Sequence, residues 1–167
     1  MGNISAPLDL PPITRCPILL ASSGTTAIRN SDGVTDTNWI TIASATLPGY
    51  ALRSNGILRL LAAFTFTGST STKQFRTQFG ATTTITTNVT GATTLSRNFS
   101  TILFNLNSYT SQKYINSADG YGVVNTSAPV TISLDTTQPI TIGIQTQWTA
   151  NSPGEFIQLE SYHIEIY

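Results

Sequence analysis

Hydrophobic and polar positions alternate along most of this chain with a period of two, the spacing of a strand whose successive side chains face opposite ways. The most informative run is GILRLLAAFTF, Gly56 to Phe66. As a helix it would be apolar nearly all round, shorter than a typical buried helix, and would run straight into Thr65-Phe66-Thr67. As a strand, Leu58, Leu60, Ala62, Phe64 and Phe66 make one unbroken apolar face, with Ile57, Arg59, Leu61, Ala63 and Thr65 on the other. The strand reading accounts for every position. Leu61 and Ala63 on the second face place it in mid-sheet with its outer side covered, and mark both residues as a subunit interface.

The same alternation predicts further strands. In WITIASATL, Trp39, Thr41, Ala43, Ala45 and Leu47 share one face. In KQFRTQFG, Phe75, Thr77 and Phe79 point inward, and the run is expected to form a hairpin with the strand before it. STILFNLNS alternates through Ile102, Phe104 and Leu106, and Val130, Ile132 and Leu134 do so later. Ile140, Ile142, Ile144, Thr146 and Trp148 form another apolar row. In the last segment the parity shifts from Ile157 and Leu159 to Tyr162, Ile164 and Ile166, which predicts a bulge near Glu160. Asp32-Gly33, Pro48-Gly49 and Asn55-Gly56 are turn signals. The threonine-rich ATTTITTNVTGATTL reads as an exposed edge hairpin or long loop, and Tyr109 to Ser127 as loop. About eight to ten strands and no helix predict an all-β sandwich or barrel.

The first residues differ. Met1 to Thr14 holds Pro7, Pro11 and Pro12 among the scattered aliphatics Ile4, Leu8, Leu10 and Ile13. Proline lacks the donor a ladder requires, so residues 1–14 are expected to be an extended arm and 15–167 the folded domain. Eight basic and eight acidic residues cancel and only 10% of the chain is charged, which argues against a nucleic-acid or anionic-lipid surface. Cys16 is the single cysteine, so neither an internal disulfide nor a multi-cysteine zinc site is possible. The opening lacks the basic and apolar regions of a secretory signal, and the longest apolar run is interrupted by Arg59, too short to span a bilayer as a helix.

Titratable groups are sparse. His163 is the only histidine, and a Cys16–His163 dyad has no local signature behind it. Nothing in the spacing of Asp119, Asp135, Glu155, Glu160 and Glu165 selects a carboxylate pair. No phosphate-cradling loop, zinc pair or calcium loop occurs. Neither an enzyme nor a cofactor is expected. Tyr50, Tyr109, Tyr114 and Tyr121 lie in expected loops, where their rings can stack on a sugar or anchor a protein partner; Trp148 joins them as a possible contact.

One long segment, ATLPGYALRSNGILRLLAAFTFTGSTSTKQFRTQFG, resembles a small jelly-roll domain of bacteriophage virion proteins. The shared features are a proline-led turn, Asn-Gly, an apolar strand, a small-residue turn, Lys-x-x-Arg and Phe-Gly. LLASSG near the start, QW, and IQLESYHIEIY at the end are similar in order and spacing to that domain's first and last strands. The threonine tract from Thr82 to Thr94 has no counterpart in that pattern. The resemblance implies a jelly-roll-like antiparallel sandwich with an extended arm, usually trimeric. It occurs in capsid decoration or cement proteins and in tail-fibre or head-fibre tips that bind receptors or carbohydrate. A compact chain starting at methionine, with an aliphatic arm and no coiled coil, fits the first role better. The expectation is a homotrimer on the outer capsid surface that touches the major capsid protein through Ile4, Leu8, Leu10 and Ile13, with no nucleic-acid or membrane partner.

Overall fold

The computed structural model describes residues 17–24, 27–34, 36–91, 95–117 and 129–167, with side chains described for all of these but 82–91 and 116–117. The arm residues Ile4, Leu8, Leu10 and Ile13 and the loop residue Tyr121 lie outside them. The strands are β1 (Ile18–Ser23), β2 (Ala27–Asn30), β3 (Ile40–Leu47), β4 (Ile57–Phe66), β5 (Ser69–Phe79), β6 (Thr82–Gly91), β7 (Ser96–Asn105), β8 (Gln112–Ser117), β9 (Val130–Ile132), β10 (Ile140–Trp148) and β11 (Phe156–Ile166).

Two antiparallel sheets form a sandwich. The larger runs β1-β11-β4-β7-β8-β9, with β2 also on β11, and the smaller runs β3-β10-β5-β6. Because β1 pairs with residues 162–166 of β11 and β2 with residues 156–159, the two are halves of one edge strand. Setting aside the β8–β9 extension, the first strand then pairs with the last, β3 with β10, β4 with β7 and β5 with β6. This nesting of successive pairs defines a jelly roll, the expected fold.

The core follows the strand parities. Leu58, Leu60, Ala62, Phe64 and Phe66 of β4 are all buried, as are Phe75, Thr77 and Phe79 of β5 and Ile140, Ile142, Ile144, Thr146 and Trp148 of β10. Each large apolar side chain removed from water contributes about 1.5–3 kcal/mol. Phe64 and Phe75 meet across the sheets with ring centroids 4.6 Å apart. Thr77 and Thr101 share one hydrogen bond of 3.0 Å in the middle of the core, so neither buried hydroxyl is left unpaired. The expected bulge is present: the β11–β4 register shifts between Leu159 and Ser161. The Glu160 carboxylate accepts hydrogen bonds from the Thr65 hydroxyl and, at 2.8 Å, from Gln158 Nε2.

Four sequence expectations are corrected. β4 and β5 do not form a hairpin: Thr67-Gly68 carries the chain from one sheet to the other. The inward residues of β7 are Phe99, Thr101, Leu103 and Asn105, so Ile102, Phe104 and Leu106 face the opposite way. Pairing with β4 sets this parity, since Leu58 faces Leu103 and Ala62 faces Phe99. On β3 the register jumps between Ala43 and Thr41, and this bulge turns Thr41 and Trp39 outward. Trp39 there packs under the Arg76 guanidinium, 4.1 Å from the ring centroid. Finally, part of the expected Tyr109–Ser127 loop is strand β8.

Candidate functional site

The two outer faces of the sandwich differ in chemistry. On the smaller sheet, Gln145 Nε2 donates to Thr41 Oγ1 at 2.8 Å and to Gln78 Oε1 at 2.5 Å, while Arg76 Nε donates to Gln145 Oε1 at 2.6 Å. Gln147 and Gln74 continue this polar ladder. The larger sheet instead carries aliphatic and aromatic residues outward. Ile57 stands opposite Phe104 and Ile102 opposite Ile115, and Leu61 and Ala63 lie half-buried beside them on β4. Leu61 and Ala63 line a shallow depression of about 730 Å³ whose other walls include Asn98, Ser161, His163 and Arg59.

An ion cluster flanks that depression. Glu165 accepts from Arg59 Nη2 at 2.8 Å and from Tyr167 Oη at 2.5 Å, and His163 Nε2 lies 2.7 Å from its other oxygen. The Tyr167 hydroxyl outweighs burial and, with His163 and Arg59, holds the Glu165 carboxyl below its ordinary range. His163 is therefore part of a carboxylate-centred cluster; Cys16 lies outside the described residues.

A second concentration of candidate residues lies at one end of the sandwich, where the loops 48–56, 106–111 and 133–139 meet. Tyr50 N–H donates to Thr136 O at 2.8 Å, and Thr136 N–H donates to Tyr109 O at 2.8 Å. Buried Asn105 reaches the Leu52 and Arg53 carbonyls, both at 2.7 Å, and Thr136 Oγ1 at 3.3 Å. At Gly49 a β-carbon would lie 2.3 Å from the Thr137 carbonyl oxygen, so only glycine permits this approach. The result brings Tyr50 and Tyr109 together edge to face, with ring centroids 5.6 Å apart and planes at 74°.

Of the other aromatic candidates, Tyr114 and Trp148 are not surface contacts. Tyr114 is on strand β8, 4% exposed, and packs in the core. Trp148 is 0% exposed; its Nε1 donates to Glu155 Oε2 at 3.0 Å and the Arg29 guanidinium sits 4.7 Å from its ring centroid. Its place in the apolar row of β10 already pointed inward. The described candidate carboxylates do not converge either: Glu155 serves Trp148 and Lys73, Glu160 serves Thr65, Glu165 serves Arg59, and Asp135 caps Thr137, while Asp119 lies outside the described residues. Among the described residues no three histidine, cysteine, aspartate or glutamate side chains are grouped to hold a metal.

No family model matches the chain, and no curated protein does. Among solved structures, a Lotus tetragonolobus seed lectin isoform aligns over 87% of this chain and 94% of its own, at 7% identity and a TM-score of 0.30. A likeness at that level carries no argument about function.

Proposed function

We propose that this chain is a bacteriophage capsid decoration protein: a homotrimer that binds the outer capsid surface and stabilises the particle. The observation that carries this reading is the contrast between the two outer faces. A polar ladder of glutamine and threonine suits solvent, whereas Ile57, Leu61, Ala63, Ile102, Phe104 and Ile115 on the larger sheet suit a protein surface. The jelly-roll strand order and the resemblance to phage virion domains support the same reading. In it, the larger sheets of neighbouring subunits bury Leu61 and Ala63. Ile4, Leu8, Leu10 and Ile13 of the arm contact the major capsid protein. Such a joint needs adhesive area rather than reactive groups, and no enzymatic step is part of the proposal.

The test has two arms. Leu61→Glu places a charge in the subunit contact, and light scattering should show monomers in place of trimers while the β signature in circular dichroism is retained. Deleting residues 1–13 should abolish loading onto emptied, expanded capsids, measured as copies per particle. Normal loading without the arm overturns the capsid mechanism; an unchanged oligomer in the Leu61 variant overturns the interface.

A further inference from the structure

We infer that the corner formed by Tyr50 and Tyr109 is a binding site for a neutral sugar ring. Tyr50 is 63% exposed, yet its backbone sits at φ 63°, the left-handed region that bulky side chains avoid. Burial of the ring does not compensate that strain. The loop contacts impose it: Tyr50 N–H is fixed to Thr136, and Gly49 is wedged against Thr137. The neighbouring loop repeats the conformation at Asn107, φ 51°, where asparagine tolerates it. The chain thus holds a large aromatic ring out in water, on a rigid base, in a conformation that costs free energy. Such outliers cluster at ligand sites.

The surroundings select the ligand class. Tyr50 and Tyr109 pack edge to face at 74°, and Tyr50, well over half exposed, keeps much of its ring surface open to solvent. The exposed residues of the three loops include the hydrogen-bonding side chains of Asn107, Thr110, Asp135 and Gln138, alongside Pro48, Arg53, Leu106 and Pro139. Asp135 is held in place, its Oδ1 accepting from Thr137 N–H at 3.0 Å and from Thr137 Oγ1 at 2.5 Å. A pyranose has a C–H face to lie on an aromatic ring and equatorial hydroxyls to meet amide, hydroxyl and carboxylate groups at its edge. A protein partner would need a broader apolar surface than two rings provide, and the larger sheet supplies that elsewhere. This inference does not rest on the capsid reading, because it uses different residues.

The experiment is a titration of the ¹⁵N-labelled full chain with the methyl glycosides of glucose, galactose, mannose and N-acetylglucosamine, read by backbone amide shifts. At least one glycoside should move amides in loops 48–56, 106–111 and 133–139 with saturation. Tyr50→Trp should keep that response. Tyr50→Asn, which suits the left-handed backbone, should melt no lower than the wild type yet weaken binding at least about tenfold, the size of a lost stacking contact. Tyr109→Ala should weaken it as well. A flat response to all four glycosides, or unchanged affinity in Tyr50→Asn, overturns the site; either result leaves capsid loading and trimer formation as independent measurements.

Discussion

The two ends of the sandwich are both stitched by buried polar groups, with opposite chemistry. At the end that carries Tyr50, the central group is the neutral amide of Asn105, which ties backbone carbonyls of one loop to a threonine of another. At the far end the stitching is ionic. Lys73, 1% exposed, donates to Glu155 Oε2 at 2.9 Å, to Ser69 Oγ at 2.6 Å and to Ser71 O at 3.1 Å. Nearby, buried Asp36 accepts from Ser31 Oγ, Asp32 N–H and Ser152 N–H at 2.7, 3.1 and 2.9 Å. Arg29 closes the group, donating to the carbonyls of Thr146 and, at 3.2 Å, Asp36. In the ionic end the polar groups are consumed by one another and the large aromatic, Trp148, is buried. In the neutral end the fastening is internal and the aromatics are pushed outward. That division separates a structural end from a presenting one.

The largest effect should come from breaking the ionic end. Lys73→Met leaves Glu155 with a largely buried charge and no cation beside it, its remaining donors being the Trp148 indole and the Ser69 and Ser71 hydroxyls. Removing one partner of a buried pair costs about 3–5 kcal/mol, whereas replacing both is close to neutral. Urea unfolding should therefore show that loss for Lys73→Met, and Lys73→Met with Glu155→Gln should recover more than half of it. A double variant as unstable as the single one would mean that the lysine stem's packing, not its charge, holds this end.

The neutral end should yield next. Asn105→Ala strips hydrogen bonds from two backbone carbonyls, for a cost of about 2 kcal/mol. The signature is location: amide exchange should accelerate in loops 48–56 and 133–139 while the loops around Asp36 and Ser152 keep their protection. Gly49→Ala should act at the same place with a loss of about 1–3 kcal/mol, because its β-carbon would overlap the Thr137 carbonyl. Uniform acceleration across the molecule would show that the two ends unfold together and that their separation is only chemical.

The apolar framework was legible in the residues, and these polar fastenings were not. Alternating apolar residues, with Leu61 and Ala63 on the second face, identified β4 as a mid-sheet strand, and the parity shift in the last segment located the bulge at Glu160. The jelly-roll order itself came through the resemblance, because alternation says which face is buried but not which strands pair. Hydrophobic periodicity failed where the inward residue is polar. On β2 the buried side chain is Arg29 while Ile28 stands out in solvent. On β8 the buried positions are Gln112 and Tyr114, and Gln112 Oε1 accepts from Leu134 N–H at 2.8 Å. On β7 both faces carry apolar residues, so the more regular row, Ile102-Phe104-Leu106, pointed the wrong way. Of the aromatic candidates, the sequence marked Tyr50 and Tyr109, but nothing in it shows that loops about sixty residues apart would bring the rings together.

Acid should distinguish the ends by the smallest and most gradual effect. Burial alone would raise the Asp36 carboxyl, but donors from Ser152, Ser31 and Asp32 hold it below its ordinary value. Glu155 behaves alike: burial raises it, while Ser69, Lys73 and Ser71 together bring it below the usual range. A carboxyl depressed in the folded state contributes stability above its unfolded pKa, about 4, and loses that contribution as pH falls through the folded value. The melting temperature should thus be flat near neutrality and decline below about pH 4. Glu165 and Glu160 on the larger sheet are also depressed and add to the decline, so the end-resolved readout is amide exchange. At low pH the loops around Asp36 and Ser152 should open before loops 48–56 and 133–139. In Lys73→Met the ammonium's share of the lowering at Glu155 is lost while Ser69 and Ser71 still donate, so the carboxylate contributes less stability at neutral pH and lowering the pH should narrow the gap to the wild type. A gap that widens on acidification would mean that Lys73 is not what holds Glu155 ionised.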